Sequence, residues 1–220
     1  MKTTELFSLE NTIAEALLEK HEYPWQALSD IKEFTVCLGK SLNKEIYDEI
    51  SENVWIAKSA KIFSSAYISP PCIIDECSEI RHCAFIRGGA IIGKNCVVGN
   101  STELKNCIIF DSVQIPHYNY VGDSILGYHS HLGAGAITSN VKSDKSLVSV
   151  RKNNSIIETG LKKFGAMVGD YSEIGCNSVL CPGTVIGKNC IVYPLSLVRG
   201  CIDENSIFKT PENIVRKSVK

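Results

Sequence analysis

No stretch of this 220-residue chain approaches the roughly 18–20 consecutive apolar residues of a membrane-spanning helix. The opening Met1-Lys2-Thr3-Thr4-Glu5 also lacks the apolar core of a secretory signal. A cytoplasmic location away from membranes is the expectation. There is no excess of one charge either: 23 Lys and Arg stand against 24 Asp and Glu, which gives no bulk attraction to nucleic acid or to a membrane surface. An anionic ligand must therefore be held by a local cluster of cations. The ten cysteines include no CxxC pair, so neither a cysteine metal site nor a disulfide framework is expected, and Cys serves instead as a small hydrophobe. A glycine-rich nucleotide-binding loop is missing as well.

What is present is a beat of six. Ile56, Ile62, Ile68, Ile74, Ile80, Ile86, Ile92, Val98 and Leu104 follow one another at six-residue intervals. Most are followed four residues later by a small side chain: Ala60, Ala66, Cys72, Ser78, Ala84, Ala90, Cys96 and Thr102. Neither a helix nor a period-2 strand keeps such a set on one face. Tandem hexads are the pattern of a β-helix, an all-β fold in which three hexads make one triangular coil, the aliphatic fills the prism and the small residue fits the corner. A second run, Val168, Ile174, Leu180, Ile186, Val192 and Val198, repeats the signal. Five-residue steps at Leu104 to Ile109 and Val121 to Leu126 predict a bulge or an adjusted corner.

Three regions follow. Residues 1–52 lack hexads and read as a helical N-terminal cap over the open end of the prism: Leu9 to Leu18 with Asn11 as N-cap, a segment opened by Pro24 and carrying Trp25, Leu28, Ile31 and Phe34, and a third segment from Leu42 to Ile50. Residues 53–208 form the β-helix, interrupted by a polar and basic loop over 140–166. Residues 209–220 are a charged tail.

The register places side chains before any comparison is made. Arg87 and Lys105 each follow a rung by one residue and lie three hexads apart, so they stack on adjacent coils about 4.8 Å apart. Such a pair is either solvated or bridged by an anion such as phosphate, for which Arg offers a fork and Lys a point charge. His117 lies at the corner leading toward that column, with Tyr120 just before the rung at Val121; an imidazole there is a candidate general base.

The runs Ile86-Arg87-Gly88-Gly89-Ala90, Val98-Gly99-Asn100, Glu103-Leu104-Lys105, His117 through Asp123 and Leu132-Gly133-Ala134-Gly135 on to Asn140 stand in one order over residues 86–140. In this the chain resembles the acetyltransferase half of the bacterial bifunctional enzyme that makes UDP-N-acetylglucosamine, and is similar to the corresponding half of archaeal sugar-1-phosphate nucleotidylyltransferases. The resemblance implies a left-handed β-helix, a homotrimer, and transfer of acetyl from acetyl-CoA to the amine of an amino-sugar 1-phosphate. It implies that His117 is the base, that Asn140 and Tyr120 contact the sugar or align the acetyl group, and that Arg87 and Lys105 hold the phosphate, with Lys142 or Lys145 completing that site. Ala134 and Cys176 would line the CoA channel. The chain departs from the family at Val141, where a Tyr is usual, at His131, which replaces a substrate-contacting Asn, and at Cys176, which replaces a Ser. Uridylyltransferase activity is not expected of this chain alone. Two alternatives belong to other classes. One is a non-catalytic sugar-phosphate or sugar-nucleotide sensor. The other is a zinc enzyme resembling γ-class carbonic anhydrases, raised by His82 in the column of His117. That family's third His falls where this chain has Gly122, and His129 and His131 do not restore the spacing, so no metal is expected.

Overall fold

The structure, a computed structural model, describes residues 1–152 and 155–217. Its core is a left-handed parallel β-helix of about eight coils, numbered here from the N-terminal end. On the first wall, rungs stack from Ile56 through Ile74, Ile92, Ile109, Leu126, Val168 and Ile186 to Ile202. The second wall runs from Ile62 to Phe208 and the third from Ile68 to Val198. Every aliphatic named from the hexads thus points into the prism, as its spacing requires. The small residues do more than fit. Ser78 Oγ donates to the Gly93 carbonyl of the next coil at 2.6 Å, Thr102 Oγ1 to Ile115 at 3.1 Å and Ser172 Oγ to Gly187 at 2.8 Å, while Cys96 Sγ reaches the Phe110 carbonyl at 3.0 Å. Burial pushes the Cys96 thiol up to about 12, consistent with a structural role.

The two five-residue steps are corners. Strands Glu103–Ile109 and Tyr120–Leu126 pass from the third wall to the first without a break. Asn106 (φ 49°) and Asp123 (φ 48°) make the bend in the left-handed region that Asn and Asp tolerate. The coil below turns the same corner with Gly88 (φ 83°) and Gly89 (φ 63°). The insertion leaves this corner one coil later. It closes at its neck, where Phe164 N–H donates to the Asn140 carbonyl at 3.0 Å, and it carries an antiparallel hairpin of Ser149–Lys152 and Ser155–Glu158.

The helical segment does not cap the open end. It lies lengthwise on the first wall, descending from the sixth coil, where Asp170 N–H donates to the Leu6 carbonyl, past Asp111 bonded to Asn11, to Gly39 against Trp55 in the first coil. Rungs Ile62 and Ile68 stay partly exposed at the uncapped end. The reason is the outward residue of each first-wall strand. Ile73, Ile91, Ile108, Ile125, Met167 and Val185 are all apolar, and each is fully buried beneath this segment or its neighbours; burying such side chains is worth about 1.5–3 kcal/mol each. Locally, Asn11 ends a 3₁₀ turn (Leu9–Asn11) rather than capping a helix, and Ala14 precedes the helix Glu15–Leu18. Pro24 does open a 3₁₀ helix (Pro24–Ser29) that leads into the helix Ile31–Ser41. The third expected helix is instead a strand, Tyr47–Ser51, paired antiparallel with Val54–Ala57 across a turn that Asn53 (φ 60°) permits. At the other end the expected tail forms a hairpin in which Asn213–Arg216 covers Ser206–Thr210. No helix among the described residues is long and apolar enough to cross a membrane.

Candidate active site

Two corner columns and the wall between them carry the candidate residues. The corner between the second and third walls stacks His82, Asn100, His117, Ala134 and Cys176 on successive coils. The corner between the third and first walls stacks Arg87, Lys105, Gly122 and Ser139, then Cys181 and Arg199. His117 and Lys105 therefore stand at opposite ends of one wall rather than side by side. Tyr120 spans the gap: a Cβ built on Gly122 would lie 2.4 Å from the Tyr120 hydroxyl, so the glycine leaves room for the ring to reach the cationic corner.

His117 is exposed on a backbone held firmly in place. Its N–H donates to Asn119 Oδ1 at 3.1 Å, and the buried Asn119 amide donates in turn to the carbonyls of Gly133 (2.7 Å) and Ala136 (3.1 Å) on the next coil. Gly135 N–H bonds the His117 carbonyl at 3.0 Å. Asn119 fixes the backbone that carries the imidazole, and only its place inside the matching run marked it beforehand.

At the cationic corner both expected cations are in register, and each has a carboxylate partner. Arg87 meets Glu103 at 2.8 Å and Lys105 meets Asp123 at 3.1 Å. Asp123 is a buried hub, 5% exposed, that also accepts from Asn106 at 3.0 Å and from the Asn140 amide. Asn140 donates as well to the Tyr120 hydroxyl at 3.2 Å, and Asn106 donates to the Leu28 carbonyl of the helical segment. Burial, with the Asp123 and Glu103 charges behind it, raises the Tyr120 phenol, which stays protonated and able to donate. Asp123, Glu103 and Asn119 were missed by sequence reasoning. The signal available for Asp123 was the shortened corner, which puts a carboxylate one coil above Lys105 and one residue past its column.

The remaining candidates lie apart from this network. His131 sits on the outward face of the second wall and pairs with Glu173 at 2.7 Å. Ala134 and Cys176 continue the His117 column toward the later coils, Cys176 exposed. Lys142 donates to Ser146 Oγ at 2.6 Å and lines a concavity facing the later coils, with Arg151 and Arg199. Of the corner column between the third and first walls, Ser139, Cys181 and Arg199 line the concavity, whereas Arg87 and Lys105 do not. Lys145, at φ 59°, is exposed on the loop. Lys142 thus faces the later rungs of this corner, beside Ser139, Cys181 and Arg199, rather than Arg87 and Lys105. His82 packs at a tilt against Phe63, ring centroids 4.4 Å apart, and among the described residues no group of His, Cys, Asp or Glu is gathered to hold a metal ion.

The family profile of the GMPPB C-terminal domain matches residues 68–161, and that of the bacterial transferase hexapeptide (six repeats) matches residues 165–200. The bifunctional protein GlmU of Methanococcus maripaludis (strain C5) is 33% identical over 198 residues, which are 89% of this chain and 48% of that protein. The bifunctional sugar-1-phosphate nucleotidylyltransferase/acetyltransferase of Sulfurisphaera tokodaii is 32% identical over 167 residues, 76% of this chain and 42% of that one. The chain thus spans about half the length of the curated relatives it matches. Among solved structures, a point mutant of AntD, an N-acyltransferase from Bacillus cereus in complex with dTDP and coenzyme A, is 18% identical with a TM-score of 0.40, covering 76% of this chain and 82% of that one. With hexads, prism and matching sequence in agreement, the chain belongs to the hexapeptide-repeat transferases and is homologous to the C-terminal acetyltransferase half of GlmU.

Proposed function

We propose that the protein is an acetyl-CoA-dependent N-acetyltransferase acting on an amino-sugar 1-phosphate of the glucosamine 1-phosphate kind. The observation that carries this reading is the third wall. An exposed imidazole on a fixed backbone stands at one end and a column of two cations at the other, with Tyr120 and Asn140 bonded to each other between them. A sugar phosphate laid across that wall has its phosphate at Arg87 and Lys105 and its amine toward His117. His117 removes a proton from the amine as the nitrogen attacks the thioester carbonyl. The Asn140 amide and backbone N–H groups are the available donors for the tetrahedral oxyanion. Collapse breaks the carbon–sulfur bond, and the CoA thiolate leaves with the proton His117 carried. Ala134 and Cys176, next along the same corner, line the path of the pantetheine arm. The decisive assay follows free thiol release from acetyl-CoA with glucosamine 1-phosphate as acceptor; binding of the sugar phosphate without thiol release would mark a sensor instead.

Lys105→Ala is expected to raise KM for the sugar phosphate at least about tenfold, as befits a lost charge-assisted contact, and to leave KM for acetyl-CoA within about twofold. Steady-state kinetics with each substrate varied checks it; equal effects on both would remove Lys105 from the phosphate site.

A homotrimer is part of the same proposal. The third wall turns Tyr67 and Phe85 outward below Glu103 and Ile137 and Leu197 outward above it, and Leu195 at its corner is 80% exposed, apolar area of the kind that marks an association surface. Leu195→Glu with Leu197→Glu should give a folded monomer by light scattering; an unchanged mass would place the contact elsewhere.

A further inference from the structure

We propose that a phosphate-bearing anion, distinct from the one at Arg87 and Lys105, binds in the concavity between the inserted hairpin and the sixth and seventh coils, held by Arg151, Arg199 and Lys142. The concavity has a volume of about 660 Å³, and its lining holds these three cations against a single carboxylate, Asp144. Asp144 is turned to its own loop. Ser146 donates to it from both backbone and side chain, and Lys142 approaches it only to 3.8 Å.

Three features build the site. Arg199 occupies the corner column of Arg87 and Lys105, four rungs beyond Lys105, or roughly 19 Å at the usual strand spacing, so one phosphate cannot bridge the two places. Arg87 and Lys105 each have a carboxylate partner, whereas among the described residues neither Arg151 nor Arg199 has one. Two guanidiniums beside one ammonium are then left to solvent or to an anion. Finally, the hairpin is seated against this corner. Gly183 (φ 80°) and Gly200 (φ 77°) let the chain come in so close that a Cβ would lie 2.8 Å from the Ser149 carbonyl and 2.9 Å from that of Arg151. Strand alternation buries Val148 and Val150 and leaves Ser149 and Arg151 lining the concavity, while Lys152 faces the other way to Asp203 at 3.0 Å.

The chemistry recognised is a phosphate or diphosphate, which a sugar phosphate and the diphosphate of CoA share. Inorganic pyrophosphate is the probe, titrated into the intact protein by calorimetry at two salt concentrations. The wild type is expected to bind it, more weakly at higher salt. Arg151→Gln with Arg199→Gln should weaken binding at least about tenfold, while Arg81→Gln, on the second coil and paired with Glu79, leaves it within about twofold. Thermal unfolding of each variant shows that the fold is kept. Competition by CoA but not by glucosamine 1-phosphate assigns the site to the CoA diphosphate, and the reverse pattern to the sugar phosphate; either supports the proposal. Absent binding in the wild type, or equal binding in the double variant, overturns it. No acyl transfer is read, so the outcome is independent of the proposed activity.

Discussion

Alanine at position 117 is expected to lower acetyl transfer by about 10²–10⁴-fold while leaving the fold and both KM values nearly unchanged. The range follows from what a positioned base supplies. An ammonium cannot attack a thioester, so the rate depends on taking a proton as the carbon–nitrogen bond forms. The separation of rate from stability follows from geometry. The His117 ring is exposed and makes no hydrogen bond among the described residues, whereas its backbone is fixed by Asn119 and Gly135 whatever the side chain. Deleting the ring therefore removes chemistry and little packing, and surface substitutions of this kind usually stay within about 0.5 kcal/mol. Single-turnover rates with saturating acetyl-CoA, beside a thermal melt, test both halves. Turnover within about threefold of wild type would remove His117 as the base. Asn119→Ala supplies the contrast: it frees the same turn, leaves the buried Ala136 carbonyl without its donor and removes one of the two that reach Gly133, so it should cost stability and activity together.

Much of the prism was legible because its signal is periodic and redundant. Every rung from Ile74 to Leu104 is fully buried, Ile62 and Ile68 pack against the core at the open end, and the two five-residue steps turned out to be corners that carry Lys105 and Asp123. The placement of the helices was not read, although part of the information was present one residue before each rung. On the first wall that outward position is Trp55, Ile73, Ile91, Ile108, Ile125, Met167 and Val185; on the second it is polar at Lys61, Glu79, Gln114, His131 and Glu173 and apolar at Val97, Ile191 and Ile207. A hexad count sums over the three walls and hides the difference, whereas a count at intervals of three hexads separates the more polar second wall from the first and third, whose outward positions are mostly apolar. Tyr47–Ser51 was misread as helix because five residues beside an open strand edge take their conformation from pairing, not from local preference. Lys142 and Lys145 were both offered by the resemblance as the basic residue after Asn140. Nothing in the spacing says toward which coils an insertion of this length folds back, and the glycines at 183 and 200 decide it.

The site pairs differ enough in burial to make opposite predictions. Arg87 and Glu103 keep side-chain exposures of 46% and 31%, so separating them should change stability by about 0–1 kcal/mol. Lys105 and Asp123 are at 21% and 7%, and Asp123 also serves Asn106 and Asn140. Asp123→Ala leaves an ammonium and two amides facing a cavity with no acceptor. A fully buried broken pair costs about 3–5 kcal/mol, and the part of Lys105 that still reaches water brings the expectation to about 2–3 kcal/mol. For a chain of this size that is a fall in Tm of roughly 4–12 °C. Activity should fall further than stability alone explains, because Asn140 loses the partner that aims it and Lys105 loses the one that holds it at the corner. If Asp123 acts by positioning Lys105, then Asp123→Ala and Lys105→Ala are not additive: the double variant should show a KM for the sugar phosphate close to that of either single variant, a coupling of at least about 0.5 kcal/mol. Additive effects on KM would make Asp123 a purely structural acid, and Asp123→Asn, which keeps an acceptor for the two amides but not the charge, would then recover the melt and the kinetics in equal measure.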